Sequence, residues 1–121
     1  MRLEVIDGEF SVSKLADTKT VDITAPFTFL SVTDDEVSLV CRTSSLPSNV
    51  THTENGWRML RIVGELDFSL VGILADITRI FAEAGVGIFA VSTYNTDYVL
   101  CKKEAFQIAL DSLEKNGYDV L

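Results

Sequence analysis

The residues of this chain that could do chemistry are few, and their types and spacing do not fit catalysis. Its one histidine, His52, lies in the polar segment TSSLPSNVTHTENG with no cysteine or second histidine beside it. Neither a zinc site nor a nucleophile–histidine pair can be assembled from it. No Walker-type phosphate loop, GxSxG elbow or HExxH pair is present, so phosphoryl transfer, serine hydrolysis and zinc proteolysis lack their usual residues. Acidic pairs occur at Asp34–Asp35 and at Glu65 with Asp67, where turns and strand ends carry solvated charge. Cys41 and Cys101 each close an apolar run and read as small buried hydrophobes. The expectation is a non-enzymatic protein without metal or cofactor.

Binding has better support. In VGELDFSLVGIL an extended run turns into a helix that reads as beginning with Leu70-Val71-Gly72. The free N–H groups and positive dipole end of such a start make a seat for a carboxylate. Gly72 either lets a ligand or another backbone approach closely or relieves crowding between helix and strand, at a cost of about 1 kcal/mol in helix propensity against alanine. Further on, STYNTD offers the hydroxyls of Ser92 and Thr93, and Asp97 opens the following strand. That carboxylate could hold an ammonium group, or it is a turn residue.

The elements that would carry these residues are legible from periodicity. Leu70, Ile73, Leu74, Ile77, Ile80, Phe81 and Ala84 fall on one face of a helix, which Ser69 or Asp67 could cap and Gly85 could end. WRMLRIVGE alternates as a strand, GIFAVSTY and DYVLCK read as two strands joined through Asn95 and Thr96, and KEAFQIALDSLEKNG reads as a second helix before a short strand, YDVL. The second half is therefore β-α-β-β-α-β, with two helices on one face of a four-stranded antiparallel sheet. In the first half RLEVI, the turn DG and EFSVSKL read as a hairpin. FTFLSVT and EVSLVCRT pair around Asp34 and Asp35, with at most a turn or two of helix in ADTKTVDITAP and another short turn in SSLPSN.

The two halves share a pattern. FLSVTDDEVSLVC and FAVSTYNTDYVLC align without a gap, so that Phe29 meets Phe89, Thr33 meets Thr93 and Cys41 meets Cys101, each 60 positions apart. This favours a fold built twice, as α+β with two ferredoxin-like units side by side over residues 1–56 and 57–121, the first with shortened helices.

Composition narrows the partners. The chain has 121 residues, 47% of them hydrophobic, and 18 acidic against 10 basic residues give a net charge of −8. That field repels nucleic acid and anionic lipid, and no apolar stretch approaches the ~20 residues of a membrane helix. The acidic opening MRLEVIDGEF does not resemble a signal peptide. A cytoplasmic location is expected, and the NVT acceptor at 49–51 then carries no meaning.

LVGILADI after the turn, AGVGIFAVSTYNTDYVLC, the closing NGYDV, and FLSVTDDEVSLVC followed by GWRMLRIVGELDF together resemble an ACT domain, the small regulatory module of amino-acid metabolism. The resemblance runs from about residue 9 to the end and is strongest over 57–120. It is nearest to stand-alone tandem-ACT proteins related to the ACT regions of aspartate kinases and to the CASTOR arginine sensors. It implies a βαββαβ fold and a small amino acid held where paired units meet, with no catalysis. By motif the turn would contribute Ser69, Leu70, Val71, Gly72 and Ile73, the strand Ser92, Thr93, Tyr94 and Asp97, and the facing unit Ser31, Val32 and Thr33. The arginine sensors place an acidic group in the turn, where this chain has Leu70, so arginine does not fit. Output would pass through a homo-oligomer or a regulated enzyme. The alternative is a ligand-free interaction module with the same fold.

Overall fold

A computed structural model of the chain describes residues 2–63 and 72–121. Its elements are β1 (Arg2–Leu15), β2 (Phe29–Val32), β3 (Val37–Arg42), β4 (Val50–Ile62), α1 (Ile73–Glu83), β5 (Phe89–Ser92), β6 (Asp97–Lys102), α2 (Phe106–Lys115) and β7 (Asp119–Val120). They form two compact units, Gly8–Trp57 and Met1–Asp7 with Arg58–Leu121. The mixed α+β class matches the expectation. The grouping of the first seven residues differs from the expected boundaries, because the long strands β1 and β4 each contribute to both units.

In the unit Gly8–Trp57 the strand order is β2-β3-β1-β4. β1 and β3 are antiparallel from Phe10↔Arg42 to Leu15↔Val37, and β2 pairs with β3 from Phe29↔Val40 to Val32↔Val37. Where a first helix would stand, the chain from Ala16 to Thr28 is held by side-chain turns. Asp17 accepts from the Lys19 amide at 2.9 Å, and Asp22 accepts from the Thr24 amide at 2.9 Å. Aspartate forms such turns because its short carboxylate reaches its own backbone two residues on. The second helix is reduced to a 3-10 turn, Thr43–Ser45. With so little to cover the sheet, Leu15, Leu39 and Cys41 form a small apolar cluster. Hydroxyl pairs continue it, and buried Ser11 meets Thr43 at 2.8 Å and Asn55 at 2.6 Å, while Ser13 meets Thr53 at 3.0 Å.

The expected hairpin at Asp7–Gly8 does not form, and β1 runs unbroken from Arg2 to Leu15. A tight primed turn needs a left-handed residue at its first central position, and Gly8, at φ 100°, has the only left-handed φ in the stretch. Each part of the strand also finds a partner without folding back.

In the other unit the order is β7-β1-β4-β6-β5, with β7 parallel to β1 at Arg2↔Asp119 and Leu3↔Val120. The expected four-stranded sheet therefore has a fifth strand, the start of β1, between β7 and β4. Both helices share one core with the sheet. Ile77, Ile80 and Phe81 of α1 and Ala109 and Leu113 of α2 are buried with Leu3, Leu60, Ile62, Val99 and Cys101. The outer face of α1 carries Asp76, Arg79 and Glu83, ion-paired at 2.8 and 2.9 Å. Gly85, at φ 75°, stops the helix. Its amide bonds Ala82 O and the Val86 amide bonds Phe81 O at 2.8 Å, the paired closure that needs a left-handed residue just past the helix.

Candidate functional site

The α1 start differs from its expected position. Gly72 is the N-cap rather than a first-turn residue, with a left-handed φ of 90° that an α-helix cannot contain. The first helical bond is Asp76 N to Gly72 O at 2.8 Å. The amides of Ile73, Leu74 and Ala75 therefore meet no helical carbonyl and aim out of the helix end. Among the described residues no side chain caps them. Gly72 is exposed, and a Cβ placed on it would meet nothing within 4 Å, so crowding does not explain this glycine. Its backbone conformation does. Ser69, Leu70 and Val71, and the capping role expected of Ser69 or Asp67, lie outside the described residues.

Charge at this helix end is already partly balanced. Asp76, in the first turn, accepts a 2.5 Å hydrogen bond from the Tyr118 hydroxyl and pairs with Arg79. Those bonds hold its carboxyl below the usual range. Burial first, and then the bond to Asp76, pushes the Tyr118 phenol up to about 12.

The β5–β6 hairpin gathers the other predicted residues of this unit. Ser92 and Asp97 are cross-strand partners. Thr93 closes the turn, its amide and its hydroxyl each 2.9 Å from Thr96 O, while Tyr94 projects into solvent at 78% exposure. Thr96 is the residue that sequence reasoning missed. It is 5% exposed, and its hydroxyl donates to Ile62 O at 2.8 Å. The hairpin turn is thereby fixed to the end of β4, the strand that leads toward α1. A threonine just before a strand whose middle, Tyr98–Cys101, is apolar is the available signal.

In the unit Gly8–Trp57 the corresponding residues sit in a matching hairpin. Ser31 pairs with Ser38 and Val32 with Val37. The Thr33 amide is 3.0 Å from Glu36 O, as Thr93 is to Thr96. Ser31 and Thr33 are exposed, and Val32 is exposed to 63%. The 60-residue offset holds through the register, since Phe29↔Val40 and Phe89↔Leu100 are equivalent pairs. It continues into the 3-10 turns Thr43–Ser45 and Lys103–Ala105.

Among the described residues no group of three or more His, Cys, Asp or Glu could hold a metal ion, and no helix is long and apolar enough to cross a membrane.

Residues 52–115 match the ACT domain family, more than half of the chain, and the protein belongs to that family. A crystal structure of an Agobacterium tumefaciens protein is similar at 26% identity and TM-score 0.86, over 99% of this chain and 91% of that one. The regulatory subunit of aspartate kinase from Thermus thermophilus, in its ligand-free form, shares the fold at TM-score 0.63 and 11% identity, over 95% and 97% of the two chains. Aspartate kinase from Clostridium acetobutylicum, described as an allosteric enzyme, matches at TM-score 0.64 and 16% identity, over 93% of this chain and 33% of that enzyme. No curated protein sequence matches the chain.

Proposed function

We propose that this protein is an amino-acid-binding regulatory module built as a tandem ACT repeat. The ligand carboxylate sits on the open amides at the start of α1, around Gly72 and Ile73 and the preceding Ser69, Leu70 and Val71. The ligand ammonium lies toward Asp97, with Ser92, Thr93 and Tyr94 beside it; Ser31, Val32 and Thr33 are the matching hairpin positions of the other unit. The observation that carries this reading is the Thr96–Ile62 bond at 2.8 Å. It ties the hydroxyl-bearing turn to the strand end from which the chain proceeds to a helix start that no described side chain caps. A helix end with free amides and no side-chain cap favours an anion, and the neighbouring carboxylate gives a zwitterion its second contact. Ligand binding then acts as a switch on a homo-oligomer or a partner enzyme, provided the two states bind it with different affinities.

The test is a thermal-unfolding screen against the common amino acids. A ligand at 100 times its Kd adds about 2.7 kcal/mol, which raises Tm by roughly 8 °C or more in a domain of this size. A selective rise with one amino acid supports the reading. A flat screen from a protein that still migrates as an oligomer, or that co-purifies with an enzyme, supports the ligand-free interaction module.

A further inference from the structure

The unit Gly8–Trp57 carries a groove with charged groups in its lining that the site above does not use. Its sheet has two faces of different character. Ser11, Ser13 and Leu15 share one face with Leu39 and Cys41, as the register Ser11↔Cys41 and Ser13↔Leu39 requires. Thr53 and Asn55 of β4 turn to that same face, where they bond Ser13 and Ser11. Val12 and Lys14 of β1, Ser38 of β3, and His52 and Glu54 of β4 must then project from the opposite face, because side chains alternate along a strand. There they line a cavity of about 450 Å³, with Glu36 at the β2–β3 turn as a further wall. That volume lies within the range of small-molecule sites.

The arrangement of charge in this groove is specific. Lys14 and Ser38 are cross-strand partners, so an ammonium and a hydroxyl stand side by side. Glu54 lies two positions along β4 from His52, and Glu36 two positions before Ser38. The hydrogen-bond network also positions the histidine. The Thr51 hydroxyl donates to Lys14 O at 3.1 Å and contacts His52 Nδ1 at 3.1 Å. Nε2 is then the ring nitrogen away from that contact, in company with two carboxylates. The groove thus combines acceptors for an ammonium group with a cation and a hydroxyl for an anion.

We propose that this face of the N-terminal unit is a second small-molecule site, which takes a zwitterion. The ligand ammonium sits among Glu54, Glu36 and His52 Nε2, and its anionic end lies on Lys14 and Ser38. The site shares no residue with the α1–hairpin reading, although Ser38 is the cross-strand partner of Ser31; Lys14, His52 and Glu54 are what set it apart.

The test is a ¹H–¹⁵N NMR titration of the full chain with γ-aminobutyrate, using n-butylamine and butyrate as one-charge controls of equal length. The expected result is saturable movement of the amides of residues 12–14, 38 and 52–54 with γ-aminobutyrate, and weaker movement with either control. Lys14→Met and Glu54→Gln, both at exposed positions, should each raise the Kd by about threefold or more, as expected for a single exposed charge contact. Movement as large with butylamine as with γ-aminobutyrate would overturn the proposal, and so would no movement at these residues at tens of millimolar. Shifts at 72–76 and 92–97 instead would assign binding to the ACT site and also overturn it. Failure of the α1–hairpin reading would leave 12–14, 38 and 52–54 responsive.

Discussion

Replacing Thr96 by valine removes one hydroxyl and keeps the shape of the side chain. The hydroxyl is buried at 5% exposure and donates to Ile62 O at 2.8 Å. Its loss forfeits a hydrogen bond worth about 1 kcal/mol and leaves a carbonyl lone pair short of a partner, for a total of about 1 to 2 kcal/mol. At 3–6 °C per kcal/mol, Tm should fall by roughly 3 to 12 °C. Thr93→Val is the control. The Thr93 residue is exposed, and the backbone bond from its amide to Thr96 O at 2.9 Å survives the change, so the cost should be a few tenths of a kcal/mol. Differential scanning calorimetry on both variants, with and without the amino acid that stabilises the parent, reads the two effects together. Thr96→Val should also shrink the ligand-induced rise in Tm, because the turn is no longer tied to β4. A Tm within 1 °C of the parent, together with an unchanged ligand response, would refute the anchoring argument.

Other consequences follow from individual sites. Gly72→Ala should destabilise by about 1 to 2 kcal/mol through backbone strain alone, since its Cβ meets nothing within 4 Å; chemical denaturation measures this, and calorimetry should show weaker amino-acid binding. The Tyr118 phenol, raised to about 12, remains protonated in the folded chain where the unfolded chain has begun to lose its proton. The stability it contributes is full below about pH 10 and falls as pH climbs from 10 through 12. Tyr118→Phe should flatten that part of a urea-denaturation pH profile. Asp76 is depressed by Tyr118 and Arg79, so its contribution is present above the ordinary carboxylate pKa and is lost as the pH falls through the lowered value. Cys41 and Cys101 are each 1% exposed, and burial raises both thiols, Cys101 to about 11; a thiol reagent at pH 8 should label neither in the native protein and both after unfolding.

What the sequence disclosed, and what it did not, divides by the kind of signal. The hairpins Phe29–Arg42 and Phe89–Lys102 were legible because alternation, a polar turn and a 60-residue echo all agreed. α1 is legible from its apolar stripe, but that stripe places its start three residues early, at Leu70 instead of Ile73. Periodicity counts apolar residues and does not register that Gly72 takes a φ of 90°. Asp-Gly at 7–8 is the strongest short-range hairpin signal, yet β1 passes straight through it, because its two ends are paired with β7 and β3. Those are long-range pairings that no local pattern encodes. Ser11 and Ser13 belong to the same class. They occupy the positions of an alternating strand that usually face water, yet they lie in a core that lacks helices and is completed by hydroxyls. Of the candidate site, Ser92, Thr93 and Asp97 are singled out by their side-chain chemistry, whereas Thr96 acts through burial and one carbonyl and so resembles an ordinary turn residue.

The most direct test of the account is hydrogen–deuterium exchange with and without the amino acid that most raises Tm. Binding at the proposed site should slow exchange at the start of α1, over Gly72–Asp76, and in the hairpin turn Thr93–Asp97. Protection confined to other segments, or no change at saturating ligand, would contradict it.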